Sequence, residues 1–242
     1  MSDLAPTIAH MVDSWFEKAP VTEVRAAHRR FVAAVSGLTA DQLAEPTALP
    51  GWSRAHVIAH IADGARANAD LTEVALRGEL VALFPGGVAE RNERIEKLAV
   101  SPDLMARLED GIRRLESSWE RAGPEDWSRQ VRFRNGDLAG TVYARWREVW
   151  IHLVDCAVGV TPADWPVELA EHAIDFLRSR VPPEVTLFAT DTDRRWGPAS
   201  GVELAGPVRD LAAWAAGREP ARALNGPEIE LGEWPPHPTP DR

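Results

Sequence analysis

The sequence predicts a mostly α-helical protein: an antiparallel four-helix bundle over residues 1–163, followed by a smaller α+β domain over 164–242. Three observations carry that expectation. Long segments with apolar residues at helical spacing are joined by short connections, as in helices that fold back on their neighbours. Composition then changes at Val160 to Pro166, where Pro162 and Pro166 flank Asp164-Trp165. Beyond that break a run rich in β-branched residues stands between two further helical segments.

Taken in order, Thr22 to Val35 is the first clear helix, with Thr22 read as its N-cap after Pro20 and a stripe of Val24, His28, Phe31, Val32 and Val35. A short extra helix is expected over Ile8 to Phe16. The loop Glu45 to Gly51 holds Pro46 and Pro50, after which Ser53 caps a long helix reaching Leu76 or beyond. Its face is drawn by Val57, Ile61, Ala65 and Ala69, with His60 beside the stripe. Phe84-Pro85-Gly86-Gly87 breaks the chain, and Val88 to Leu98 reads as a short charged helix. Asp103 to Arg121 is amphipathic through Leu104, Leu108, Ile112 and Leu115, and Gly123-Pro124 stops it. Arg134-Asn135-Gly136-Asp137 marks a turn of hairpin type. A last bundle helix follows from about Thr141 to Val160. In the C-terminal part Val167 to Val181 reads as a helix, Val185 to Thr190 as a strand paired with Arg194-Arg195-Trp196, and Pro207 to Ala216 as a helix ended by Gly217. The tail with Pro235, Pro236, Pro238 and Pro240 is expected to be irregular.

Bulk composition narrows the function classes. A formal charge of −10 lacks the basic footprint of a nucleic-acid surface. No apolar run approaches the roughly 20 residues of a membrane span, and Met1-Ser2-Asp3 opens no basic-then-apolar leader. The single cysteine, Cys156, excludes an internal disulfide framework. A cytoplasmic protein is the expectation, with neither nucleic acid nor membrane as partner. The ten tryptophans are read as core filling.

The chemistry concentrates in Arg147-Glu148-Val149-Trp150-Ile151-His152-Leu153-Val154-Asp155. Glu148 and His152 lie four apart, so they share a helix face with β-carbons roughly 5–6 Å apart. As a rule such a pair is simply solvated. Here Val149, Trp150, Ile151, Leu153 and Val154 leave no evident wet face, so the carboxylate needs an arginine, a histidine or a metal beside it. Arg54 and Arg147 are the arginines at hand. His60, on an equally apolar helix, is the third candidate ligand, and three protein ligands with an open position describe a catalytic metal site. Cys156 lies roughly 12 Å along the helix axis from Glu148 at about 1.5 Å per residue, a poor place for a shared ligand.

The segments Leu49-Pro50-Gly51-Trp52-Ser53-Arg54-Ala55-His56-Val57-Ile58-Ala59-His60 and Arg147 to Asp155 resemble those of the mycothiol-dependent maleylpyruvate isomerases, which join a DinB-like four-helix bundle to a small C-terminal α+β domain. Glu90-Arg91-Asn92-Glu93 and Ala215-Ala216-Gly217-Arg218 extend the resemblance over nearly the whole chain. It implies His60, Glu148 and His152 as ligands of a zinc ion, and Arg91 and Arg218 as arginines that bind the substrate. Asp155 is placed to accept from the other ring nitrogen of His152 and fix its orientation. His56, one turn before His60, either binds the thiol cofactor or packs near Trp52, packing being the favoured alternative.

The implied reaction is the cis-to-trans isomerisation of maleylpyruvate to fumarylpyruvate in gentisate degradation. Mycothiol, a low-molecular-weight thiol, would add to the double bond of this small dicarboxylate, allow rotation and leave. A metal with an open position would lower the thiol pKa from about 8.5. Two alternatives stay open at this point: a mycothiol S-transferase of the same DinB-like group, and a non-catalytic metal-binding module.

Overall fold

The computed structural model describes residues 19–134 and 136–235, so the expected helix over Ile8–Phe16, Asn135 of the expected turn and the tail from Pro236 lie outside the described residues. In chain order the helices are α1 (Val21–Val35), α2 (Ala40–Ala44), α3 (Arg54–Leu76), α4 (Gly87–Ala99), α5 (Leu104–Glu120), α6 (Leu138–Asp155), α7 (Val167–Leu177) and α8 (Val208–Ala215). The strands are β1 (Val185–Ala189), β2 (Arg194–Trp196) and β3 (Val202–Gly206). The protein is thus mostly α-helical, with a small C-terminal three-stranded sheet. No helix among the described residues is long and apolar enough to cross a membrane.

The described residues divide into two compact units, one of 19–36 with 58–146 and the other of 37–57 with 147–235. In the first, α1 buries Val24, Ala27, His28, Phe31 and Val35. Its N-cap is Pro20, not Thr22: the Pro20 carbonyl takes the Val24 N–H at 3.0 Å, so Thr22 already lies in the first turn. The helix α5 turns Leu104, Leu108, Ile112, Leu115 and Trp119 inward. Gly111 lets it lie close to α3, because a β-carbon there would meet the Ala62 carbonyl at 3.2 Å and the Ala65 methyl at 3.4 Å. A cluster of Ala67, Leu71, Ala75, Leu83, Val131 and Leu138 fills the space beside α3, with Phe84 and Trp127 packed against it. The expected hairpin is a single bridge between Gln130 and Asp137, with Arg134 at φ 54 in the turn.

Polar groups of α1, α5 and α6 meet at His28. His28 Nδ1 lies 2.8 Å from Glu116 Oε1, and the fully buried Arg145 donates Nε–H to His28 Nε2 at 3.1 Å. A guanidinium only donates, so His28 accepts at Nε2 and carries its proton on Nδ1, facing the carboxylate.

In the second unit, α2 opens with a capping box in which the Thr39 hydroxyl takes the Gln42 N–H and the Gln42 side chain takes the Thr39 N–H. That helix was missed by hydropathy spacing, although Thr-x-x-Gln is its local signal. The helix α6 begins at Leu138, earlier than the expected Thr141, and stops at Asp155, short of Val160, because Ala157 and Gly159 turn left-handed at φ 50 and 83. The sheet has the order β2-β1-β3. As expected, β1 pairs antiparallel with β2, Leu187 opposite Trp196. The unexpected β3 runs parallel to β1, with Leu187 opposite Leu204. Only its second half is buried, so it carries little of the apolar run that marks β1. The helices α7 and α8 pack together over the buried Trp165, whose carbonyl accepts from Arg209 Nε at 2.5 Å.

Two outcomes test this packing. Gly111→Leu should cost about 1–3 kcal/mol by forcing α5 off α3, read by urea unfolding; an unchanged midpoint would refute the close approach. The second concerns His172, which burial and then the neighbouring Arg147 guanidinium push down to about 3. Its folded pKa lies below the ordinary value of 6.5, so as pH falls from there toward 3 the unfolded chain takes up a proton that the folded protein refuses. Stability contributed by this group is therefore full above pH 6.5 and lost on acidification through that window. Denaturant midpoints of the natural chain should fall more steeply with acid than those of His172→Gln, and parallel curves would contradict the assignment.

Candidate functional site

In the second unit the last turn of α6 carries His152 and Asp155, three apart and therefore on one face. His152 Nδ1 lies 2.8 Å from Asp155 Oδ2. Asp155 also receives both prongs of one guanidinium, Arg218 Nε to Oδ1 at 3.0 Å and Arg218 Nη2 to Oδ2 at 2.6 Å. Burial by itself would raise the Asp155 carboxyl; hydrogen bonds from His152 and then Arg218 outweigh it and hold the group below the usual carboxylate range. An ionised Asp155 makes Nδ1 the donor of His152 and leaves Nε2 as the acceptor nitrogen of that ring.

Arg218 is aimed by the end of α8. Gly217 at φ 70 turns the chain back, its N–H donating to the Trp214 carbonyl at 2.8 Å and the Arg218 N–H to that of Ala213 at 2.8 Å. This paired closure is the Schellman motif, which glycine at the left-handed position allows without strain. Arg218 Nη1 additionally donates to the Ala216 carbonyl at 2.6 Å. The end of α6 is held likewise by a cation at a helix C-terminus: Arg54 donates Nε–H to the Cys156 carbonyl at 2.7 Å and Nη2–H to that of Ala157 at 3.1 Å, and its Nη1 pairs with Glu45 at 2.7 Å. Glu148, one turn before His152, is partly buried between the buried Val149 and Arg147, and Arg147 lies over the Phe176 ring at 3.7 Å.

His56 takes part in the entry to α3. Its Nδ1 accepts the Ser53 N–H at 3.2 Å and lies 2.8 Å from the Ser53 hydroxyl, while the ring stacks on Trp52 at 6.4 Å.

In the first unit His60 stands on α3 with Arg91 of α4 against it, Arg91 Nη2 being 3.2 Å from His60 Nδ1 and 3.5 Å from Nε2. The guanidinium lies over the Phe84 ring at 4.1 Å, and the turn Phe84 to Gly87 that supplies this ring closes through the Gly87 N–H at 2.9 Å. Sequence reasoning missed Asp63, one turn after His60 and 4% exposed. It accepts from Arg94 Nε at 2.9 Å and Arg66 Nη2 at 3.1 Å, and its Oδ2 stands 3.7 Å from Arg91 Nε. The signal was present as His60-Ile61-Ala62-Asp63, which repeats the spacing of His152-Leu153-Val154-Asp155.

The structure therefore brings His152, Asp155 and Arg218 together in one unit and His60 with Arg91 in the other. Among the described residues no group of three or more His, Cys, Asp or Glu side chains is close enough to hold a metal ion. The donor types nevertheless suit one: two imidazoles and a carboxylate are a zinc donor set, and a histidine whose Nδ1 is held by a carboxylate is oriented as metal-bound histidines are.

Helices that bear a histidine–arginine pair in one unit and a histidine–aspartate–arginine group in the other, with a small sheet in the chain beyond them, define a class of mostly helical protein with candidate metal-ligating histidines. Within that class the chain belongs to the mycothiol maleylpyruvate isomerase family, whose N-terminal domain model matches residues 24–157. The chain is similar to the crystal structure of the mycothiol-dependent maleylpyruvate isomerase, with a TM-score of 0.75 and 27% identity over 90% of this chain and 94% of that one. The crystal structure of a histidine-to-alanine mutant of the isomerase gives 0.74 and 26% over the same shares. The comparison with curated proteins finds no match.

Cys156 supplies no nucleophile. It is fully buried, and burial, with Asp155 adding to it, pushes its thiol up to about 12. The folded protein should resist iodoacetamide at pH 8 while the urea-unfolded chain takes up one equivalent; rapid labelling of the folded chain would contradict this placement.

Proposed function

We propose that the protein is a mycothiol-dependent maleylpyruvate isomerase. The observation that carries this reading is the Asp155 carboxylate shared by His152 and Arg218 at 2.6–3.0 Å, in a chain similar over 90% of its length to the isomerase. A bundle serving only as a scaffold has no need to couple a histidine of ligating orientation to a forked anion-binding cation through one buried acid. His60, Glu148 and His152 would hold the metal, His152 through Nε2 because Nδ1 is engaged by Asp155. A zinc ion there would supply electrostatic lowering of the mycothiol pKa, giving thiolate at neutral pH.

When bound, the thiol would supply a nucleophile that adds to the cis double bond and leaves again, so that the bond can rotate between the two events. Arg91 and Arg218 would meet the substrate carboxylates and the negative charge that develops on the pyruvyl oxygen by charge-assisted hydrogen bonding. His56, stacked on Trp52 with its Nδ1 at Ser53, lines the entry to α3 as the candidate contact for the thiol cofactor.

One observation favours a second reading, a mycothiol S-transferase of the same group. Arg218 already donates from Nε, Nη1 and Nη2 within the chain, so only the remaining hydrogens of its Nη atoms face a substrate. A transferase acting on an uncharged electrophile would use Arg218 through Asp155 alone.

Absorbance measurement of maleylpyruvate conversion decides between them. The purified protein should isomerise only with mycothiol present. His60→Ala should lose bound zinc and about 100-fold or more in rate, as loss of a metal's contribution to transition-state stabilisation implies. Conversion without the thiol, or undiminished conversion by His60→Ala, would overturn the mechanism, and mycothiol conjugation of a neutral electrophile without isomerisation would establish the transferase.

A further inference from the structure

We infer that Asp63 is a positioning residue that, with the Phe84 ring, fixes the Arg91 guanidinium for a substrate carboxylate. Its carboxylate is as buried as that of Asp155, each 4% exposed, and each follows a histidine by one helical turn. The two acids act at different places. Asp155 touches its histidine directly, whereas Asp63 touches the arginines that surround His60. Oδ1 of Asp63 is taken by Arg94 Nε at 2.9 Å and Arg66 Nη2 at 3.1 Å. Oδ2 makes no hydrogen bond among the described residues and faces Arg91 Nε at 3.7 Å.

A buried carboxylate oxygen without a hydrogen bond costs free energy unless a charge compensates it. A compensating charge stands at the Nε side of Arg91, and the arrangement draws Arg91 to that oxygen. Arg94 and Arg66 are each also paired with another acid, Glu90 at 2.7 Å and Asp70 at 2.6 Å, which lets them anchor Asp63 from the far side. Phe84, at 4.1 Å from the guanidinium carbon, lies under its face. Held at its Nε side and beneath, a planar guanidinium can offer its Nη edge, and that edge is the one lying 3.2 Å from His60. An edge so presented suits one carboxylate of a small dicarboxylate; Asp63 itself touches no substrate.

The role for Arg91 rests on the proposed isomerase, so the test separates the two. Asp63→Asn, Phe84→Leu, Arg91→Ala and the double variants with Arg91→Ala are compared in the full chain. Asp63→Asn should raise KM for maleylpyruvate on the order of 10-fold, as loosened positioning does, with the KM for mycothiol within about twofold of the natural protein. Adding Asp63→Asn to Arg91→Ala should change nothing further, the mark of action through Arg91. Binding of maleate, an unreactive cis-dicarboxylate, measured by titration calorimetry should weaken in parallel. A natural protein that binds maleate but does not isomerise defeats the isomerase reading and leaves the Asp63 role to be judged by binding alone. Unchanged KM and unchanged maleate binding in Asp63→Asn overturn the inference, as does additivity with Arg91→Ala. Should Asp63→Asn fail to fold, Phe84→Leu decides by the same KM, binding and additivity criteria.

Discussion

One buried negative charge organises the unit formed by residues 37–57 and 147–235. Asp155 has left water, and a carboxylate in that position is tolerable only when its oxygens are occupied by strong donors. His152 and Arg218 supply them, the first from the same helical turn and the second from beyond the sheet, so the bond joins residues 63 positions apart. The consequence runs in both directions. The acid dictates which nitrogen of His152 carries the proton, and it occupies the Nε–Nη2 edge of Arg218. Breaking it from either side would strand an ion in the interior, the costlier failure of a buried pair.

Around that bond the chain uses backbone devices to make side-chain positions repeatable. Arg54 collects the last carbonyls of α6, a cation where a helix ends negative. Arg178 does the same for the stretch entering β1, donating to the Val181 carbonyl at 2.8 Å and that of Val185 at 2.9 Å. Asp191 receives the Val208 N–H at 2.8 Å where α8 begins. Arginine is suited to such work because its rigid fork satisfies two carbonyls at once.

Much of this was legible in the residues alone, because the strongest signals are periodic. The faces of α1, α3 and α5 follow from apolar spacing, and the β1–β2 hairpin from a β-branched run and a turn of aspartates. What escaped has a physical reason in each case. The helix α2 is five residues long, too short for a stripe, and announces itself only by the Thr39–Gln42 cap. The strand β3 opens with the exposed Val202 and Glu203, which dilutes its hydrophobic pattern. The early stop of α6 depends on Ala157 entering left-handed space, which nothing in an alanine foretells. Asp63 was overlooked because one acid among three on α3 has no special meaning until its three arginines, on α3 and α4, are seen beside it.

The reversal at Gly217 has an evolutionary corollary. Since the backbone leading to the guanidinium of the next residue is set by two main-chain bonds, α8 is at liberty to exchange its outward side chains without disturbing it. Drift at the outward positions of this region is then cheap so long as position 217 retains the freedom of a residue without a β-carbon. A lineage could diversify the outer surface of this part of the molecule and still deliver one cation to the same acid.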